Sequence, residues 1–217
     1  MFNDRKDAGQ RLAQALIKYK NNNVLVLAIP MGGIEVGYYV AEKLGAPFSV
    51  IVVRKLPFPQ NPEAGFGAVA EDGGLFLLNN FDFGINPSLV KEIIERQKIE
   101  IKRRIEILRD GNPLPELIDK TVILVDDGIA IGSTMRASVR LCKNKKAKSI
   151  IVATPVGGPE IAKKLVEISD DVVILEQPDI YRAVAQVYRQ WHDVSDEEAV
   201  KLIKRSDKFI SGKNVLK

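Results

Sequence analysis

Val122-Ile123-Leu124-Val125 is an unbroken apolar run, too short for a helix, that ends in Asp126-Asp127-Gly128. Short, β-branched runs of this kind fit strands buried on both faces of a parallel sheet. Comparable segments stand at 24–29, 48–53, 149–155 and 172–176. Helical patterns separate them. Residues 4–20 put Leu12, Ala15, Leu16 and Tyr19 on one side, with Asp4 or Asp7 near the start. Further helices are expected over 34–44, 88–109 and 133–144, and from Gly157-Gly158-Pro159 through Ile168. Strand and helix therefore alternate through most of the chain, the pattern of an α/β fold. The crossover from 24–29 to 48–53 is expected to be right-handed.

Two stretches depart from this alternation. In 54–80 the first part carries Pro57, Pro59, Pro62, Gly65 and Gly67, which argue against regular structure and for a mobile loop. Long loops in compact domains tend to be lids or binding loops. The second part reads as a β-hairpin, 66–70 with 75–78, around Glu71-Asp72-Gly73-Gly74. The other departure is the tail from Gln177, where Ser195 and Glu198 form a capping box that starts a last helix running to about Lys204. Tyr181, Tyr188 and Trp191 in the tail read as packing residues before ligand platforms. On the long helix over 88–109, Glu92 with Arg96 and Glu100 with Arg104 are i,i+4 pairs of a solvated face.

Composition closes several routes. The 217 residues suffice for one domain with a substantial core, 1–217, with 54–80 and 177–217 as its accessory segments. No apolar stretch approaches the roughly 20 residues of a membrane helix, and the start Met-Phe-Asn-Asp-Arg-Lys-Asp has no signal-peptide pattern, so a cytoplasmic location is expected. A net charge of +4 is too mild to indicate nucleic acid. Lys143, Lys145, Lys146 and Lys148 cluster at a helix end, where cations suit the dipole. The single His192 argues against zinc and against a Ser-His-Asp triad, and no Gly-x-Ser-x-Gly elbow occurs. There is no Walker loop, and no Gly-x-Gly-x-x-Gly follows the first strand. Cys142 falls in an apolar helical stripe, a packing position.

What remains is the loop after 122–125. Ligands of open α/β sheets bind at the carboxyl ends of the strands. Asp126 and Asp127 stand there, and strand alternation would send their side chains to opposite sides. Two adjacent carboxylates repel unless polyol hydroxyls or cations lie around them. Gly132 permits close backbone approach, and Ser133 and Thr134 can cap the next helix, whose free N–H groups attract an anion. A bare Asp-Asp-Gly turn is ordinary. The Gly-Ser-Thr that follows makes it a phosphate-binding candidate.

Residues 122–135, Val-Ile-Leu-Val-Asp-Asp-Gly-Ile-Ala-Ile-Gly-Ser-Thr-Met, resemble the signature loop of type I phosphoribosyltransferases. Pro30-Met31-Gly32-Gly33 resembles the family's pyrophosphate loop, where glycines bring backbone amides to an anion. Val-Arg-Lys-Leu at 53–56, Asn-Pro-Glu-Ala-Gly-Phe-Gly-Ala at 61–68, and the tail motifs Tyr-Arg-Ala-Val and Ser-Asp-Glu-Glu resemble a subgroup of predicted phosphoribosyltransferases with unassigned acceptor. The resemblance spans nearly the whole chain. It implies a parallel sheet flanked by helices, a flexible loop with a β-hairpin, and a small acceptor hood, placed in the tail. It implies an enzyme of nucleotide metabolism that binds phosphoribosyl pyrophosphate with Mg²⁺, transfers phosphoribosyl to a nucleobase-like acceptor and releases pyrophosphate. Homodimers are common among similar proteins.

The same resemblance assigns roles. Asp126 and Asp127 would hold the ribose hydroxyls, and Mg²⁺ through water. Gly128, Ala130, Ile131, Gly132, Ser133 and Thr134 would wrap the 5′-phosphate, while Met31, Gly32 and Gly33 would meet the pyrophosphate. Lys55 or Arg54 would close over the leaving group, so the catalytic candidates are Lys55, Arg54, Asp126 and Asp127. Three positions depart from the family's habit: Met31, where Arg or Lys is frequent; Ala130, where Asp is an alternative that can act as acid or base; and Ile131, where Thr is usual. They leave open a non-catalytic sensor of phosphoribosyl pyrophosphate or a nucleotide.

Overall fold

The computed structural model describes residues 1–78 and 85–211. Asn79 and Asn80, in the expected loop, and 212–217, in the expected accessory tail, lie outside the described residues. The first helix, α1, spans Arg5–Ala15, and Asp4 caps it by accepting the Asp7 N–H at 2.7 Å. It is shorter than the 4–20 pattern suggests, because the chain tightens into a 3₁₀ turn at Ile17–Tyr19. Strand β1 is Val24–Ala28, helix α2 Gly32–Leu44 and strand β2 Phe48–Val50. Strands β3 (Val53–Phe58), β4 (Asn61–Ala70) and β5 (Leu75–Leu77) follow, then helix α3, Pro87–Arg109. Strand β6 (Thr121–Val125) leads to helix α4 (Ser133–Asn144), strand β7 (Ser149–Val156), helix α5 (Pro159–Val166) and strand β8 (Asp171–Glu176). Helices α6, Asp196–Ser206, and α7, Lys208–Ser211, complete the described chain.

Five strands form a wholly parallel sheet in the order β2-β1-β6-β7-β8. Strand alternation divides its side chains between two layers. Leu25, Leu27, Val122 and Leu124 join Met135, Val139, Leu141 and Cys142 of α4, whereas Val24, Val26, Ile123 and Val125 join Leu12, Val36, Val40 and Ala41 of α1 and α2. Burial on both faces explains why these strands read as unbroken apolar runs. Cys142 is fully buried, which pushes its thiol up to about 12. An alkylating reagent at pH 8 is therefore expected to leave Cys142 unmodified in the folded protein and to label it on unfolding, as mass spectrometry would show.

The reading of 54–65 as a loop without regular structure is corrected here. Residues 53–58 pair antiparallel with β4, and β5 completes a separate three-stranded sheet. Proline is tolerated because the register shifts on both sides of Pro57, where a missing N–H breaks no regular ladder. This sheet packs Leu56, Phe66 and Val69 against Val90, Ile93 and Ile101 of α3. A buried ion pair ties the two together: Arg109, at the end of α3, donates to both oxygens of Glu71 in the β4–β5 turn and to the Val50 carbonyl at 3.2 Å. Glu71 also accepts the Val52 N–H at 2.9 Å. The Glu92–Arg96 pair forms on the exposed face of α3, whereas the Glu100–Arg104 pair forms with Arg104 only 13% exposed, so the expectation of a solvated face is corrected there; Ser195 and Glu198 form the capping box of α6.

Candidate functional site

The chain runs from β1 to β2 on one side and from β6 to β7 and β8 on the other. The strand order therefore reverses between β1 and β6, and a crevice opens at the carboxyl ends of strands so placed. The loops that flank it are 29–31 and 126–132. Helix α2 begins directly at Gly32, after a cis peptide between Pro30 and Met31. Its two opening glycines allow a close approach to β6. A Cβ on Gly32 would lie 1.8 Å from Asp127 Oδ2, and one on Gly33 would lie 2.9 Å from the Val125 carbonyl oxygen. Met31 is partly buried and packs against the apolar cluster that includes Ile34, Leu56 and Phe66.

Strand β6 ends at Val125, so strict strand alternation does not govern the acidic pair. Both carboxylates come to the first turn of α2: Asp127 Oδ2 at Gly32, and Asp126 Oδ1 3.2 Å from the Cβ position of Gly33. Asp126 Oδ1 accepts the backbone N–H of Asp127 at 2.9 Å. Asp127 Oδ2 accepts Nε of Arg5 at 2.8 Å, in an ion pair whose side chains are only 4% and 13% exposed. Burial first, and the neighbouring Asp127 second, push the Asp126 carboxyl well above the ordinary carboxylate range. Burial also raises Asp127, against the opposing pull of Arg5.

Beside the pair lies a cavity of about 200 Å³ lined by Lys55, Gly65, residues 128–134 and Val184. Helix α4 opens on it without a side-chain cap, from Gly132 at φ 79°. The first residue of the helix, Ser133, has a buried hydroxyl with no hydrogen-bond partner among the described residues. Uncapped amides and an orphaned hydroxyl at one helix start make an anion-binding cradle. Ala130 and Ile131 are exposed on the loop, Ile131 by 51%.

Successive residues of β3 face opposite ways, which separates the two cations. Lys55 lines the cavity, and Gly65 leaves room for its stem, since a Cβ there would meet Lys55 Cγ at 2.5 Å. Arg54 turns instead to α3, where its Nε donates to Gln97 Oε1 at 3.1 Å, and burial lowers its guanidinium from the usual value.

The residues that sequence reasoning missed come from the two ends of the chain. Arg5 Nη1 donates to the His192 carbonyl at 2.7 Å, and its guanidinium lies 3.9 Å from the centre of the Trp191 ring. The Tyr188 hydroxyl donates to the Asp127 carbonyl at 2.7 Å. The Tyr181 hydroxyl is buried and unpartnered among the described residues, and burial raises it, with Asp127 and Asp126 adding to the effect. One signal for Arg5 was present. It stands at a buried position with Ala8, Gly9, Leu12 and Ala13, so a charge occupies the apolar stripe of α1.

The family model for the phosphoribosyl transferase domain matches residues 2–191. A Mycobacterium tuberculosis protein, named a "putative phosphoribosyl transferase" in strains H37Rv and CDC 1551, is 37% identical over 208 residues, 95% of this chain and 47% of the relative. The chain thus spans about half the length of that relative. The crystal structure of the Thermus thermophilus protein TT1426 is 33% identical and superposes with a TM-score of 0.78, covering 94% of this chain and 98% of that one. The Aquifex aeolicus protein AQ2163, at 11% identity and a TM-score of 0.50, covers 79% of this chain and 73% of its own and shares the fold.

Proposed function

This chain belongs to the phosphoribosyl transferase family, and from that premise we propose that it binds phosphoribosyl pyrophosphate and transfers its phosphoribosyl group to a nucleobase-like acceptor with release of pyrophosphate. The observation that carries the reading is the start of α4, where uncapped amides and Ser133, whose buried hydroxyl has no partner among the described residues, line a cavity together with Lys55. The 5′-phosphate would take the N–H groups and hydroxyls of 132–134. Asp126 and Asp127 would orient the ribose hydroxyls, and the first turn of α2, opened by Gly32 and Gly33, would receive the pyrophosphate. Lys55 would balance the negative charge that grows on the leaving group as the ribose ring gains oxocarbenium character.

Asp126 and Asp127, once ionised, would offer the hard oxygen ligands that Mg²⁺ prefers and would hold it through water. When bound, it supplies charge neutralisation for the diphosphate. Calorimetry with phosphoribosyl pyrophosphate and Mg²⁺ tests the proposal. Saturable binding to the wild type, weakened at least about tenfold, or ~1.4 kcal/mol, in Ser133→Ala and abolished in Asp126→Asn/Asp127→Asn, is the expected result. No binding to the wild type, or undiminished binding to the double variant, would overturn it.

A second reading rests on Ala130 and Ile131, exposed on the loop without a carboxylate or hydroxyl to offer. It is a sensor that binds phosphoribosyl pyrophosphate or a nucleotide without turnover. Pyrophosphate release with any nucleobase excludes the sensor; binding without release across a nucleobase panel excludes the transferase.

A further inference from the structure

Arg5 occupies a place that elementary energetics disfavours twice. It is the first residue of α1, where the helix dipole repels a cation, and it is a charged residue, 4% exposed, in an apolar stripe. Its contacts span three parts of the chain. Nε meets Asp127 at 2.8 Å, Nη1 meets the His192 carbonyl at 2.7 Å, and the guanidinium plane covers Trp191 at 3.9 Å. Nε also lies 2.9 Å from the Cβ position of Gly32, so the guanidinium stands directly behind the turn into α2. That turn has no cation of its own, because position 31 is a methionine packed against the core.

We propose that Arg5 is the positioning residue of the acidic pair: it clamps Asp127 to the tail at Trp191 and His192, so that the ribose-binding carboxylates and the tail meet a ligand as one unit. This rests on the reading of Asp126 and Asp127 as ribose ligands. Arg5 also sets a fixed positive field on that turn from behind Gly32, while its hydrogen bonds stay with the protein. A lysine could keep the charge but could not bond Asp127 and the His192 carbonyl through two separate nitrogens while stacking on Trp191.

The groups that face Asp127 are Asp126 from the same loop, Arg5 from α1, and Tyr181 and Tyr188 from the tail. Those that face Arg5 beyond Asp127 include Glu35 of α2 and His192, and Glu35 is itself raised by burial. Of these groups, Arg5 is the one that ties the Asp127 carboxylate to the tail, through the His192 carbonyl and the Trp191 ring.

Two measurements on the whole chain test the clamp. In the ligand-free protein, NMR of the indole N–H of Trp191, the single tryptophan, compares wild type, Asp127→Asn, Arg5→Gln and Arg5→Gln/Asp127→Asn. Asp127→Asn is expected to shift that resonance when Arg5 is present and to leave it in place when Arg5 is replaced by glutamine. No shift, or a shift of the same size in both backgrounds, overturns the inference whatever the ligand does. Calorimetry with phosphoribosyl pyrophosphate and Mg²⁺ at pH 7 is the second. Arg5→Gln is expected to bind at least about tenfold more weakly, and Arg5→Lys to recover only part of the affinity. If Arg5→Gln binds as the wild type does, the clamp is wrong and the functional reading stands. If the wild type does not bind, the functional reading fails and the NMR measurement alone decides the clamp. Should Arg5→Gln not fold, Arg5→Lys and Trp191→Phe carry the test, both expected to bind more weakly than the wild type; unaltered binding in both overturns it.

Discussion

Replacing Glu71 by alanine is expected to lower the thermal unfolding midpoint by about 10 °C, the largest stability loss among the changes considered. The substitution strands the Arg109 guanidinium, 5% exposed at the end of α3, without its carboxylate, and it leaves the Val52 N–H without its acceptor. Breaking a buried pair from one side costs about 3–5 kcal/mol, because the remaining charge is neither solvated nor paired. In a chain of this size each kcal/mol shifts the midpoint by roughly 2–4 °C. Arg109→Met should cost a similar amount, since it leaves Glu71 buried opposite nothing and frees the Val50 carbonyl. The double change Glu71→Leu/Arg109→Met should recover a large part of either loss, because two apolar groups need no partner. Calorimetric melts of the three variants check this. Single losses below about 1 kcal/mol, or a double variant worse than both singles, would show that the pair is not what joins the second sheet to α3.

Alanine at Gly32 and alanine at Gly33 should fail in different ways. At Gly33 the new Cβ meets backbone, 2.9 Å from the Val125 carbonyl and 3.0 Å from the Asp126 Cα, and neither can step aside. The start of α2 must then leave β6, and overpacking of that kind costs about 1–3 kcal/mol. At Gly32 the obstacle is a side chain, the Asp127 carboxylate at 1.8 Å. Rotation of that carboxylate relieves the clash and breaks its bond to Arg5. Gly33→Ala is therefore expected to lower the melting midpoint, and Gly32→Ala to keep most of the stability while losing at least about tenfold in affinity for phosphoribosyl pyrophosphate. Paired melts and titrations separate the two. Equal stability losses, with binding intact in Gly32→Ala, would remove Asp127 from the ligand site.

The parallel sheet was legible because burial on both faces leaves a mark along the chain that needs no knowledge of partners. Val122 to Val125 and Val24 to Leu27 alternate between the two cores, and both cores ask for the same residue types. The Ser195–Glu198 capping box and the Asp4 cap were legible for a related reason, since donor and acceptor lie within one turn. Residues 54–65 misled because proline and glycine content reports local preference, whereas the β3–β4 pairing is decided by register shifts that place Pro57 where no ladder bond is lost. Of the candidate site, the loops at 30–33 and 126–134 were legible from composition and order. The separation of Lys55 from Arg54 was not, because it depends on which face of β3 meets α3. Arg5 reaches Asp127 across 122 positions and Tyr188 across 61, while Trp191 lies against Arg5, and among them only the misplaced charge in the stripe of α1 gave a sign.

The pairing of the two ends has a consequence for the order in which the molecule is made. Phe2 donates its N–H to Val187 and accepts from Arg189, Asn3 accepts from Gln190, and Arg5 reaches His192 across 187 positions. Contacts of such separation close late, after the loop between them has been brought to heel. On a ribosome, the sheet strands through β8 emerge before residues 187–192 do. A nascent chain at that stage can hold its parallel sheet and the cradle at the start of α4, yet Asp127 lacks its neighbours from the tail. The acidic half of the candidate site thus matures after the sheet that carries it.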